Sequence, residues 1–309
     1  MVYEEAESEA WWNAKFLIAE CLRKQGHMAE SRDVATELGR HPLTVSSEAL
    51  SARVATLAAF ALQGSGHLAD AIQSARQAVE TAASQPDHAN IAIEARNALI
   101  AALAESGQLE EAWDQSVKLV ELLEREPYST YAGQSYWAIG NVAFLLKRID
   151  DGVTYHQLAA DSLSPTNDLD LWARFNRGSA QFRLSAGLSG PETLACIERA
   201  ELASSIVGGT ARDQLELRLN RAQWMVLIGQ SQGAVAQLKS IVEQRQLLAP
   251  QIAAQAYLLL GEAIALSGLG DKAEATTNLE LSEELFLQSG AEDRAAAARE
   301  LIESLRRPE

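Results

Sequence analysis

The sequence predicts an all-α protein: a right-handed α-solenoid of about seven antiparallel helix hairpins, closed by a C-terminal capping helix. Three observations predict it. A turn phrase returns at a fixed period, apolar residues at helical spacing flank each copy, and prolines or paired glycines punctuate the intervals. The phrase reads Gly26-His-Met-Ala-Glu-Ser31, Gly66-His-Leu-Ala-Asp-Ala71, Gly107-Gln-Leu-Glu-Glu-Ala112, Gly229-Gln-Ser-Gln-Gly-Ala234 and Gly270-Asp-Lys-Ala-Glu-Ala275. The glycine-to-glycine steps are 40, 41, 122 and 41, and the long one spans three ordinary steps. An internal period in this range marks a solenoid.

Each element follows from that register. Before Gly107, Ile93, Leu99, Ile100 and Leu103 recur at helical spacing; after it, Ala112, Trp113, Val117, Val120 and Leu123 do the same. The glycine ends the first helix, because it takes a left-handed conformation without strain. The small residue five places on lets the second helix cross closely. Such a hairpin cannot bury both apolar faces alone, so it stacks on its neighbours.

The period also predicts turns near residues 147 and 188. At the first, Lys147-Arg-Ile-Asp-Asp-Gly152 keeps the apolar and acidic positions without the glycine. At the second, Gly187 precedes a small residue that comes about three places late, at Ala195, which reads as a short insertion with Pro191 in the next helix's first turn. Hairpins are expected over about residues 8–40, 46–84, 88–126, 128–164, 168–207, 210–247 and 249–289, with a charged cap over 291–307, all in one superhelical domain. The breakers His41-Pro42, Gln85-Pro86-Asp87, Glu126-Pro127, Ser164-Pro165, Gly208-Gly209 and Ala249-Pro250 agree independently.

Composition bounds the function. Apolar residues make up 47% of the 309, enough for a continuous core, and aromatics only 6%. A formal charge of −16 argues against a nucleic-acid face, which needs clustered Lys and Arg. It suits a solvated helical surface or a basic partner. No run approaches the ~20 apolar residues of a membrane span, and the acidic start is not signal-like. Cys21 and Cys196 are too isolated for a disulfide framework, and are expected as buried free thiols in the cytoplasm. The five histidines and the Gly64-Ser-Gly66 and Gly268-Leu-Gly270 clusters form no metal, phosphate-loop or catalytic pattern, so no cofactor and no enzyme activity are expected.

The phrase Gly-x-x-x-x-Ala, with leucine two residues after glycine in two copies, resembles the tetratricopeptide repeat. Its usual unit is about 34 residues. The longer period is similar to the repeats of kinesin light chains and of bacterial regulators with helical-repeat sensor halves. The resemblance covers nearly the whole chain and implies a concave surface, lined by first helices, that binds a protein or peptide segment.

Asn97, Asn176 and Asn220 stand nine to eleven residues before their turn glycines. In the similar repeats, asparagines near this position bind peptide backbone. An amide side chain offers donors and an acceptor at once. The resemblance therefore implies a groove of Asn97, Asn176 and Asn220. Hairpin four departs from it, with Trp137 in place and Asn141 one turn on. Arg177 and Arg221 beside the asparagines suit an acidic side chain or a terminal carboxylate. Trp224 joins Trp137 as a candidate anchor. Each asparagine equally suits bonding to neighbouring backbone, and the tryptophans suit inter-repeat packing. The leading expectation is a peptide-binding scaffold or sensor, with the ligand-sensing part of a bacterial transcriptional regulator as the context the resemblance implies; the first phrase at Gly26 leaves no room ahead of it for a DNA-binding head. The alternative is a structural scaffold that self-associates as a homo-oligomer.

Overall fold

The computed structural model describes residues 2–83, 89–126, 129–268 and 272–307; they form sixteen α-helices and one 3₁₀ turn, with no strand among them. The breaker Gln85-Pro86-Asp87, Pro127 and the expected turn glycine Gly270 lie outside the described residues. Hairpins pair α1 (Val2–Lys24) with α2 (Met28–Gly39), α4 (Glu48–Gly64) with α5 (Leu68–Ala83), and α6 (Ala89–Glu105) with α7 (Leu109–Arg125). They continue as α8 (Ala132–Leu145) with α9 (Ile149–Ser162), α10 (Leu169–Ser185) with α11 (Pro191–Val207), α12 (Ala211–Leu227) with α13 (Ser231–Val242), and α14 (Pro250–Ser267) with α15 (Lys272–Gln288). The helix α16 (Glu292–Arg306) follows, buries Ala295, Ala298 and Ile302, and keeps its charges outside. A five-residue helix α3 (Pro42–Ser46), held by the His41 ring accepting from the Leu43 N–H, was not legible in the turn register.

The turns are made alike. Gly26, Gly66, Gly107, Gly187 and Gly229 all take positive φ, between 75° and 87°. The next residue then donates to the carbonyl five back, as Gln108 does to Leu103 at 2.9 Å, which satisfies an orphan carbonyl of the helix end. At the fourth turn the period outweighs local preference: Lys147 takes φ 59°, the one non-glycine residue with positive φ among those described. Its neighbour Arg148 still donates to Ala143 at 2.8 Å. A left-handed L-residue costs roughly 1–2 kcal/mol. Lys147→Gly should therefore raise the unfolding free energy by about 0.5–1 kcal/mol after the added freedom of the unfolded chain is subtracted, measured by denaturant titration. In the seventh hairpin, among the described residues, Gly268 takes φ 64°.

The insertion near Gly187 is real. The α10–α11 connection is five residues where the others described are three, Gly190 is the N-cap, and Pro191 opens the helix. The buried residue of that first turn is Thr193 rather than Ala195, because the longer connection resets which residue meets α10. Elsewhere Ser31, Ala71, Ala112, Gly152, Ala234 and Ala275 are buried as the close crossing requires.

Two compact units make up the chain, Met1–Leu163 and Ser164–Glu309. In the first, α1, α4, α6 and α8 touch in a row, and α2, α5 and α7 each pack on their own first helix and the next. Its core joins Ile93, Leu99, Ile100, Leu103, Leu119 and Ile139; a second cluster holds Trp12, Phe16, Leu38 and Leu57. The Trp12 indole N–H, buried there, donates to the Thr44 hydroxyl at 2.8 Å. In the second unit α10, α12 and α14 form the row, with α11, α13 and α15 behind. Leu215, Leu238, Ile241, Leu260 and Ile264 fill its main core. Of the two cysteines, Cys196 is buried as expected; Cys21 is exposed, because no described helix covers that side of α1.

Candidate functional site

The row α10–α12–α14 in the second unit bounds a cavity of about 140 Å³. Thr210 starts α12 with a capping box: its hydroxyl accepts from the Asp213 N–H, and Asp213 accepts from the Thr210 N–H. This fixes the helix start and aims Asp213 at Arg177 on α10, whose Nη1 donates to it at 2.6 Å. The Thr210 hydroxyl first, then Arg177, hold the Asp213 carboxyl below its ordinary range. Arg212 pairs with Glu216 one turn along at 2.8 Å. From α16, Arg294 donates to the neutral Gln255 at 3.4 Å and lies over the Phe286 ring, 5.7 Å from its centre.

Four amide side chains line this cavity: Gln181 on α10, Asn220 and Gln223 on α12, and Gln255 on α14. Arg177, Arg212, Glu216 and Arg294 stand around them. Gln181 and Gln223 each lie six residues before their turn glycine, Gly187 and Gly229. The ruler that aligned the asparagines would have found this pair one turn further along the helix.

The candidate residues separate on the structure. Asn220 reaches the cavity and donates to the Arg177 carbonyl at 3.4 Å, bridging α12 to α10. Asn176 is 0% exposed, and its amide donates to Trp172 of its own helix, beneath the surface. Arg177 lines the cavity; Arg221 instead forms a two-point pair with Glu201 of α11, at 3.0 and 2.6 Å. The Trp224 indole donates to the Ser189 carbonyl at 3.1 Å and packs against the cluster of Ala180, Leu184, Cys196 and Ile197. In the first unit Asn97 donates to the Ser135 hydroxyl at 2.8 Å, Asn141 bonds the His156 ring at 3.0 Å, and Trp137 is half-buried on α8.

The first unit has its own polar cluster. The Tyr131 hydroxyl at the start of α8 donates to Glu94 of α6 at 3.4 Å. Burial, then the charge of Glu94 and Glu20, pushes this hydroxyl from 10.0 up to about 12. Burial likewise raises the Glu94 carboxyl. The folded chain holds the Tyr131 proton where the unfolded chain releases it. The group's stabilisation is therefore complete below pH 10.0 and lost as pH climbs through about 12. Tyr131→Phe should flatten that alkaline decline in denaturant titrations at stepped pH.

No protein-family model matches the chain, and no curated protein does. Solved structures do. The apo form of RapI aligns with TM-score 0.61 at 12% identity, over 95% of this chain and 99% of that one. A tetratricopeptide repeat protein from Parabacteroides merdae aligns with TM-score 0.50 at 13% identity, over 96% and 99%.

The fold is a tetratricopeptide-type helical repeat.

A third repeat structure of this type, the Rap conjugation gene regulator of plasmid pLS20 in complex with the Phr* peptide, aligns with TM-score 0.60 at 13% identity, over 99% and 78%. Among the described residues no three His, Cys, Asp or Glu side chains gather to hold a metal ion, and no helix is long and apolar enough to cross a membrane.

Proposed function

We propose that this chain binds an extended protein or peptide segment along the first helices of its second unit. One observation carries the reading: Gln181, Asn220, Gln223 and Gln255 converge on a single cavity. Each primary amide matches both the N–H and the C=O of a backbone with no partner of its own strand. The similar structure that holds the Phr* peptide supports the same use of this fold. Asp213 and Glu216 take up Arg177 and Arg212, which leaves Arg294 as the lining cation paired with a neutral side chain, so a segment that places an acidic residue near Arg294 is favoured. The role that follows is a cytoplasmic sensor or scaffold, with bacterial gene regulation as its setting and no direct contact with nucleic acid.

A peptide library displayed against the immobilised chain would supply a probe. Asn220→Ala with Gln223→Ala should then weaken the selected peptide by roughly 10–100-fold, from two lost hydrogen bonds of about 0.5–1.5 kcal/mol each. A folded double variant that binds the peptide unchanged would sink the proposal.

A further inference from the structure

The side of α1 turned away from the core is apolar. Ala10, Trp11, Ala14, Leu17, Ile18 and Cys21 fall within an arc of about 120° on the helix, and all six are exposed. Trp11 is 38% exposed, Leu17 59% and Ile18 49%. The opposite side buries Trp12, Phe16 and Ala19, and the polar Asn13, Lys15 and Glu20 are confined to the flanks, so α1 carries two opposed apolar stripes, the pattern of a helix covered on both sides. The other end of the repeat is finished differently, by α16 with Arg299 and Arg306 paired to Glu283 and Glu280 on its polar side.

The register shows what kind of cover this face fits. Forty residues on, the same positions of α4 are Leu50, Ser51, Val54, Leu57, Ala58 and Ala61, and none of them is exposed. The helices of the first hairpin cover them: α1 and α2 both pack on α4, and Val54 and Leu57 share a cluster with Trp12, Phe16 and Leu38. In α6, Ala95, Ala98, Leu99 and Ala102 fill this role and are buried too. The α1 face therefore has the composition of a surface that receives a helix; at its edge the His41 ring stacks on Trp11 at 4.9 Å, and no described helix lies over Ala14, Leu17, Ile18 and Cys21.

We propose that a second copy of this chain covers it, through an antiparallel α1–α1 contact on a two-fold axis. The charges select the direction. The helix carries exposed Glu7 and Glu9 near its start and exposed Lys24 at its end. An antiparallel pairing sets acid against base and opposes the helix dipoles, whereas a parallel one sets like against like. The side chains select the register. With the axis at Ala14, Ala10 meets Ile18 and Trp11 meets Leu17 across it, and the small residue at the centre lets the backbones approach. Every contact is repeated by symmetry, so the face closes on itself rather than propagating.

The experiment is sedimentation of the full chain from low to high micromolar concentration, with alkylation of Cys21 in parallel. The expected result is a monomer–dimer equilibrium in which Cys21 is protected as the dimer forms. Leu17→Glu with Ile18→Glu should give a monomer with open Cys21 and unchanged helical content, since both side chains already face solvent. Lys24→Glu should weaken the dimer, and Leu287→Glu on α15 should leave it intact. A wild-type chain that stays monomeric throughout would overturn the proposal and leave the face to a different partner. So would a dimer that persists in the double variant, or one that Lys24→Glu strengthens.

Discussion

Arg183→Leu should stabilise the protein by about 1–3 kcal/mol, read as a shift in the midpoint of denaturant unfolding with an unchanged slope. Arg183 sits four residues before the turn glycine Gly187, where the other hairpins carry Leu22, Leu62, Leu103, Ala143 and Met225. It is only 6% exposed, and its Nε has no hydrogen-bond partner. The buried Nε loses its water without gaining a hydrogen bond, a cost of about 1–3 kcal/mol for a donor left unsatisfied. Leucine would restore the side chain that the repeat uses there. It would also allow the apolar contact between this position and the residue after the left-handed glycine, here Leu188, that often accompanies such a turn. A destabilised Arg183→Leu would show instead that the guanidinium is held by interactions of its own. A stable variant that lost peptide binding would tie the arginine to function.

Gly261→Val should have the largest opposite effect, about 3 kcal/mol of destabilisation. The helices α14 and α15 pack along much of their length, and Gly261 faces both a side chain and the backbone of α15 at close range. A Cβ there would stand 2.6 Å from Leu279 Cγ and 2.9 Å from the backbone oxygen of Ala275. The leucine can turn aside, but the helix backbone cannot, so the second hairpin helix must move outward and open the core around Leu260 and Ile264. Thermal unfolding followed by circular dichroism would show a lowered midpoint; an unchanged midpoint would mean that α15 has room to shift. Gly261→Ala should cost less, because the gain in helix propensity of about 1 kcal/mol partly offsets the same clash.

The fold was legible because its signals are local and repeated. A left-handed glycine, a Schellman hydrogen bond and a small residue at the crossing lie within a few residues of each other, and the period carries them across degraded copies. The Lys147 turn makes the point: its sequence lacks the glycine, yet the chain adopts φ 59° there because both flanking helices are already placed. The site was legible only in part. Asn220 and Arg177 reach the cavity, whereas Asn176, offset from Asn220 by two residues in the same alignment, bonds within its own helix and is wholly buried. Each residue rotates a side chain by about 100° around the helix, so an alignment that is loose by a residue or two finds the right turn of helix and the wrong face. Gln181 and Gln223 were within reach of the same ruler, held tightly at six residues before the glycine.

The sequence by itself determined the hairpin helices, their turns and order, and the presence of a short insertion before α11, since each depends on residues close along the chain; the length of that insertion, two residues, and the helix α3 came from the structure. Tertiary structure decided which polar groups meet, which cysteine is open, and which apolar face has no cover. Arg221 was taken up by Glu201, and Trp224 by Ser189. The apolar stripe of α1 reads in sequence like that of α4 or α6 and differs from them only in what packs over it. Exposure belongs to a pair of surfaces, and a repeat pattern specifies one surface of each pair at a time.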